Sequence, residues 1–291
     1  MKMKNQVENM DKVFAILDAE SHSAAVCDHA AWAAMQLGLP LSLVHVLNLR
    51  LEKINHEASD IDFPERLALH QQIEEAVGRY RALSIAYGDL WRSAVLQRAL
   101  AAGVRHCDAS VHSGSLSDAL SGIANTAALI VVGMHHLRAS PDTQGRDFSQ
   151  ELAIRSVNSW VLACTDTFIP PTQFLLAYDG LLTASNVVES IAKSPLLTGA
   201  TCHLIMVADA GPVDRERIAW AQSTLEVAGF RVVSTLLEGE AHLALQDYAG
   251  AHNIGLVVMG AYRQARGLRY SVDGTLSRML RTCPTSCLIL N

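Results

Sequence analysis

Along this chain, short unbroken apolar runs alternate with longer stretches in which apolar residues recur every three or four positions. The unbroken runs include KVFAIL (12–17), LSLVHVL (41–47), AALIVVGM (127–134), QFLLAY (173–178), CHLIMV (202–207) and IGLVVMGA (254–261). Runs of this length and composition predict strands covered on both faces, as in a parallel sheet. HSAAVCDHAAWAAMQLG (22–38) and DRERIAWAQSTLEVAG (214–229) have helical spacing instead. Each ends at a glycine, the residue that most readily takes the left-handed conformation closing a helix.

The pattern also repeats in order. KVFAILDAE (12–20) matches QFLLAYDGL (173–181), and LSLVHVLN (41–48) matches CHLIMVAD (202–209). LQRALAAGVRHCDASVHSG (96–114) matches AQSTLEVAGFRVVSTLLEG (221–239), and AALIVVGM matches IGLVVMGA. In each half, strand and helix alternate through five strands. The predicted fold is α/β, with two tandem doubly wound domains spanning residues 1–169 and 170–291. The boundary falls near FIPPTQ (168–173), where consecutive prolines exclude helix. The first half carries an extra polar, helix-forming segment at 62–91. It reads as a lengthened crossover helix with a solvated face, and partner docking through it is the alternative.

Of 291 residues, 50% are hydrophobic and 18% charged, which predicts well-filled cores and argues against extended disorder. A formal charge of -6 gives no general attraction to nucleic acid or to an anionic membrane. The apolar runs are too short to span a bilayer, and MKMKNQVENMDK has no apolar signal core, so a soluble cytoplasmic protein is expected. Six cysteines are scattered, with only Cys283 and Cys287 close together, and they read as reduced and structural. His135-His136 read as an exposed polar loop and His45 as a core histidine, so no metal site is predicted. Ser113 and Ser115 lie outside any G-x-S-x-G elbow, and no Walker-type phosphate loop is present. With no general base or nucleophile to assign, an enzyme is not expected.

The second half contains LLAYDG, VVMGAY, GTLSRML and CPTSCLIL in succession. On these motifs the chain resembles the universal stress protein (UspA-like) family in its tandem two-domain form. The resemblance implies five-stranded parallel sheets with helices on both faces, paired through their last strands, here within one chain. One branch of that family binds ATP through G-x2-G-x9-G-S/T plus an aspartate after the first strand; another branch lacks the pattern. In such a motif, glycines let backbone N–H groups approach phosphate, and the closing pair starts a helix whose positive end favours an anion. Gly260, Gly274 and Thr275 match the pattern, Ser277 takes the polar position after it, Asp179 matches the aspartate, and Val207 falls where the family lines an adenine pocket. Two departures stand out: Arg263 replaces the middle glycine, and the stretch before Gly274 is one residue too long. The loop carries Arg263, Arg266 and Arg269, with Arg278 beyond, and guanidinium groups can hold phosphate through side chains. In the first half Asp18 and Gly133 match, but no Gly-Ser/Thr follows, the equivalent region being near Ser149-Gln150. No phosphate site of the family type is expected there.

The function this implies is a non-enzymatic stress-response regulator. It would bind ATP, with magnesium, or another adenine nucleotide in the second domain through Asp179, Val207, Gly260, Arg263, Gly274, Thr275 and Ser277, or a protein partner, or both. Whether chains also form a homodimer stays open. The alternative is a nucleotide-independent scaffold with both sites degenerate, and a weak ATPase ranks third.

Overall fold

A computed structural model of the chain describes residues 12–17, 23–47, 66–113, 115–124, 126–134, 157–261 and 274–291. The first half contributes β1 (Lys12–Leu17), α1 (Ser23–Leu37), β2 (Leu41–Leu47), α2 (Arg66–Ala101), β3 (Cys107–Ser113), α3 (Leu116–Ile123), β4 (Ala127–Gly133) and β5 (Trp160–Cys164). The second contributes β6 (Gln173–Ala177), α4 (Leu182–Lys193), a 3-10 turn at Pro195–Leu197, β7 (Thr201–Val207), α5 (Pro212–Val227), β8 (Arg231–Leu237), α6 (Ala241–Ala251), β9 (Leu256–Gly260), α7 (Thr275–Thr282) and β10 (Ser286–Leu290). These strands form one sheet of ten in the order β3-β2-β1-β4-β5-β10-β9-β6-β7-β8. Each half repeats the same winding, and within it every neighbouring pair is parallel.

The single antiparallel pairing joins the halves. Leu162 of β5 lies opposite Leu288 of β10, flanked by Val161–Ile289 and Ala163–Cys287. Both ends of this seam are pinned by side chains. Ser286 Oγ accepts the Thr165 backbone N–H at 3.1 Å, and Asn291 Nδ2 donates to the Ser159 carbonyl at 2.9 Å. Side chains alternate across the strands, so each face of the sheet carries its own apolar layer. Leu43, Leu162, Phe174 and Leu288 belong to one buried cluster, and Ile130, Val161, Val257 and Ile289 to the other. Each cluster therefore runs through both halves.

Local chemistry explains the elements. In α1, Ala25, Ala30, Ala31, Ala33 and Ala34 are all buried, and their small side chains let the helix lie close to the sheet. Gly103 after α2 and Gly229 after α5 take positive φ (99 and 93), the conformation that ends each helix. From residue 66 on, the polar segment expected over 62–91 is continuous with the crossover helix: α2 is one helix of 36 residues, about 54 Å long. Its C-terminal part docks through buried Gly88, Val95 and Ala99, and Trp91 stacks on buried His45 with ring centroids 4.4 Å apart. Ser115 serves as a helix cap, exchanging hydrogen bonds with Asp118 at the start of α3. All six cysteines are free thiols, and burial pushes Cys27 up to about 12 and Cys107 up to about 11, so both stay protonated near neutral pH. Among the described residues no helix is long and apolar enough to cross a membrane.

His29 of α1 sits beside the seam, 5% exposed, and burial holds its pKa below the ordinary 6.5. Its Nδ1–H donates to the Ala25 carbonyl at 2.8 Å, leaving Nε2 to accept from Ser286 Oγ at 3.3 Å. An unfolded chain takes up this proton below pH 6.5 while the folded one resists it. The histidine's contribution is therefore complete above that pH and is lost progressively below it. The melting temperature should fall between pH 7.5 and 5.5, and by less in His29→Gln; an equal fall in both would remove His29 from the explanation. Leu288→Ala, which empties the seam, should cost about 2–5 kcal/mol in a denaturant titration while leaving one transition. Two separated transitions in the parent would contradict a shared core.

Candidate functional site

The site is built where β6, β7 and β9 end, the side of an open α/β sheet at which ligands enter. Ala177 ends β6 and Tyr178 and Asp179 follow it, Ile205 and Val207 close β7, and Met259 comes from β9. Ala241 and Leu245 of α6 and Thr275 of α7 complete a hollow of about 120 Å³. Its walls are apolar, with Asp179 and Thr275 as polar points. The volume equals about four waters and lies below the roughly 300–1,000 Å³ of sites that enclose a drug-sized ligand. A hollow of this size can take only a small group, with the rest of any larger ligand outside it.

Asp179 is held in place locally. Its Oδ1 accepts the Leu181 backbone N–H at 2.9 Å, an Asx turn that sets the carboxylate at the lip of the hollow. Gly180 makes the turn possible with φ of 74, and a Cβ there would fall 2.7 Å from Arg217 Cδ. The positive φ is what favours glycine here, since the long Arg217 side chain could swing away from a Cβ.

Two helices begin at the hollow, α6 after Glu240 and α7 after Gly274, and at neither does the N-cap residue's own side chain cap the helix. Their first N–H groups therefore present partial positive charge at its edge. The corresponding helix of the first half differs: at α3 the Asp118 carboxylate accepts from Ser115 Oγ at 2.6 Å and from its N–H at 3.0 Å. That start is occupied by its own acid. In the second half, Glu240 stands at the rim and accepts from Arg278, with His242 Nδ1 at 3.5 Å. Arg278 is thus engaged by a carboxylate.

Of the residues expected from sequence, Asp179, Val207 and Thr275 line the hollow together. Gly274 is the N-cap of α7, with φ of -68 that any residue could adopt. Gly260 ends β9, where a Cβ would lie 3.1 Å from Val187 Cγ2, so tight packing of α4 against the sheet already accounts for a glycine there. Ser277 is fully buried on the inner side of α7 and does not line the hollow. Arg263, Arg266 and Arg269 lie outside the described residues, as do Asp18, His135, His136, Ser149 and Gln150. Among the described residues no group of three or more His, Cys, Asp or Glu side chains could hold a metal ion. Sequence reasoning missed Ile205, Glu240, Ala241, Leu245 and Met259. The usable signal was GEAHLAL (239–245), where a helix opens directly after the third strand of the half.

Residues 10–146 match the family model described as the universal stress protein family. This match falls on the first half, although the motif-bearing likeness is denser in the second. The chain is 24% identical over 278 residues to the universal stress protein Slr1230 of Synechocystis sp., covering 94% of this chain and 96% of that protein. In three dimensions it is similar to a universal stress protein from Archaeoglobus fulgidus DSM 4304, at a TM-score of 0.66 and 16% identity over 96% of this chain and 98% of that one. It is also similar to a functionally unknown protein from Pseudomonas aeruginosa PAO1, at a TM-score of 0.55 and 16% identity over 97% and 92% of the two chains. The family match thus covers residues 10–146, and the likeness to universal stress proteins runs the length of both halves.

Proposed function

We propose that residues 1–169 and 170–291 form two universal stress domains, and that the second takes an adenine nucleotide without turning it over. The observation that carries this reading is the convergence of Asp179, Val207 and Thr275 on one apolar hollow at the strand ends, beside the starts of two helices. The base would sit against Val207, Ile205 and Met259, and the ribose hydroxyls would donate to Asp179. The phosphates would lie over Gly274 and Thr275 at the start of α7, where backbone N–H groups and the helix dipole favour negative charge. Arg263 belongs to the same reading as a side-chain substitute for the missing glycine. Occupancy of the site would act by favouring one docking or association state over another. Asp179 is committed to its turn and to the ribose, and hydrolysis is not part of the proposal.

One observation favours the second reading, a nucleotide-independent scaffold. Glu240 places a carboxylate at the rim, and its pairing with Arg278 removes a cation that phosphate would use. Calorimetric titration of the full chain with ATP and magnesium decides between the two. Saturable heat in the parent that is lost in Gly274→Trp supports the nucleotide site, because the bulky side chain fills the phosphate approach at a backbone conformation it can adopt. No heat and no thermal stabilisation up to millimolar nucleotide would leave the scaffold. Phosphate release should stay at the protein-free rate throughout.

The ion pair gives a finer test. Glu240→Gln removes the competing carboxylate and frees Arg278, so ATP should bind more tightly. The gain should be up to about fivefold, the scale of an exposed pair worth ~0.2–1 kcal/mol. Arg278→Ala should weaken binding by a similar factor, and the same direction in both variants would contradict this arrangement.

A further inference from the structure

At the end of α6 away from the hollow, four polar side chains meet beside an apolar layer. His203 of β7 is 6% exposed, with Leu175 of β6 and Val233 of β8 as its neighbours in the sheet. Its Nε2 lies 2.8 Å from Gln173 Oε1 and its Nδ1 3.0 Å from the Tyr248 hydroxyl. An amide oxygen only accepts, so Nε2 carries the ring hydrogen and Nδ1 accepts from Tyr248. Tyr248 is in turn stacked on His252, with ring centroids 3.9 Å apart and planes 14° from parallel. His252 is the C-cap of α6, and its Nδ1–H donates to the Tyr248 carbonyl at 3.0 Å. Asn253 follows with φ of 51, and the Gly255 N–H donates to the Gln173 carbonyl at 3.2 Å. The cluster therefore ties the end of α6, and the chain leading into β9, to β6 and β7.

This arrangement fits a neutral imidazole. A second ring proton on His203 would point at the Tyr248 hydroxyl, which must then turn its own hydrogen away. The new charge would also be buried, with the His252 ring centroid 5.6 Å distant. Burial, and after it charge on His252, hold the His203 pKa below the ordinary 6.5. From β6 the ring meets uncharged Gln173. On the same face of β8 stand Val233 and exposed Arg231, which has the sign of an imidazolium. From α6 come Tyr248 and His252, and the charge that acts on the ring is that of His252, not of exposed Asp247. The docked site thus resists a proton that the same histidine takes up below pH 6.5 once the helix end has lifted. Docking is fully supported above that pH and loses support progressively below it.

We propose that His203 and Tyr248, braced by His252, form an acid-sensitive latch. Near neutral pH it holds the C-terminal end of α6 on the sheet; in acid, a proton taken from solvent by His203 releases that end. Release reaches the hollow, because Leu245, about one turn before Tyr248, belongs to its wall and is 3% exposed. The latch acts on that wall whatever the hollow holds.

Hydrogen exchange of the full chain at pH 7.5 and 5.5, corrected for the intrinsic pH dependence of exchange, tests this. Protection at residues 246–252 should fall several-fold in acid, up to about tenfold for a single proton. It should fall by more than protection at β4, which reports opening of the whole sheet, any contribution of His29 included. His203→Gln cannot take the proton and should flatten the response of α6. A role in packing alone would lower protection by the same factor at both pH values. Tyr248→Phe keeps the imidazole but breaks the link, and should lower protection of 246–252 already at pH 7.5. An equal fall at α6 and β4, an unchanged pH response in His203→Gln, or unaltered protection in Tyr248→Phe would overturn the proposal. So would a His203 ring that titrates at the ordinary 6.5 in the intact protein.

Discussion

The antiparallel pairing of β5 with β10 is the contact on which the rest of the molecule depends. Elsewhere the sheet is two copies of one parallel winding, each of which would end in an open strand edge. Laid side by side, Trp160–Cys164 and Ser286–Leu290 remove both edges. Each face of the resulting ten-stranded sheet then carries one apolar layer with contributions from both halves. Exposed strand edges invite pairing with other chains, so closing them internally is a gain in specificity as well as in buried area.

The seam also fixes the candidate site. Helix α7 is only eight residues long and leads through Cys283–Thr285 into β10, so whatever locates β10 locates Gly274 and Thr275. Hydrogen bonds from Thr165 to Ser286 and from Ser286 to His29 hold the start of β10 against the other half. The far end of the same short helix meets β6, β7 and β9 at the hollow. An intact first half, with its own helix start filled by Asp118, thereby positions a site in the second half. This division of labour follows from geometry alone.

Much of the fold was legible because parallel strands covered on both faces leave unbroken apolar runs, and because Gly103 and Gly229 mark where helices stop. The seam was not legible from the residues themselves: nothing in WVLAC or SCLIL states that they lie antiparallel, and only the resemblance pointed to paired last strands. In the hollow, Asp179, Val207 and Thr275 were named through the family resemblance, and the pattern by itself marks only that each sits at a strand or helix boundary. Leu245 and Met259 were not, since an apolar wall looks like any other core position. Gly260 shows the opposite hazard, a motif glycine for which packing against Val187 is reason enough. Ser277 came only from its place after the family motif, and it is buried on the inner side of its helix.

Amide hydrogen exchange of the full chain, with and without ATP and magnesium, tests the central claim most directly. The account predicts slowed exchange at residues 178–181, 205–208 and 275–278, with the strand ends and α3 of the first half unchanged. Slowed exchange in the first half alone, or none anywhere at saturating nucleotide, would contradict it.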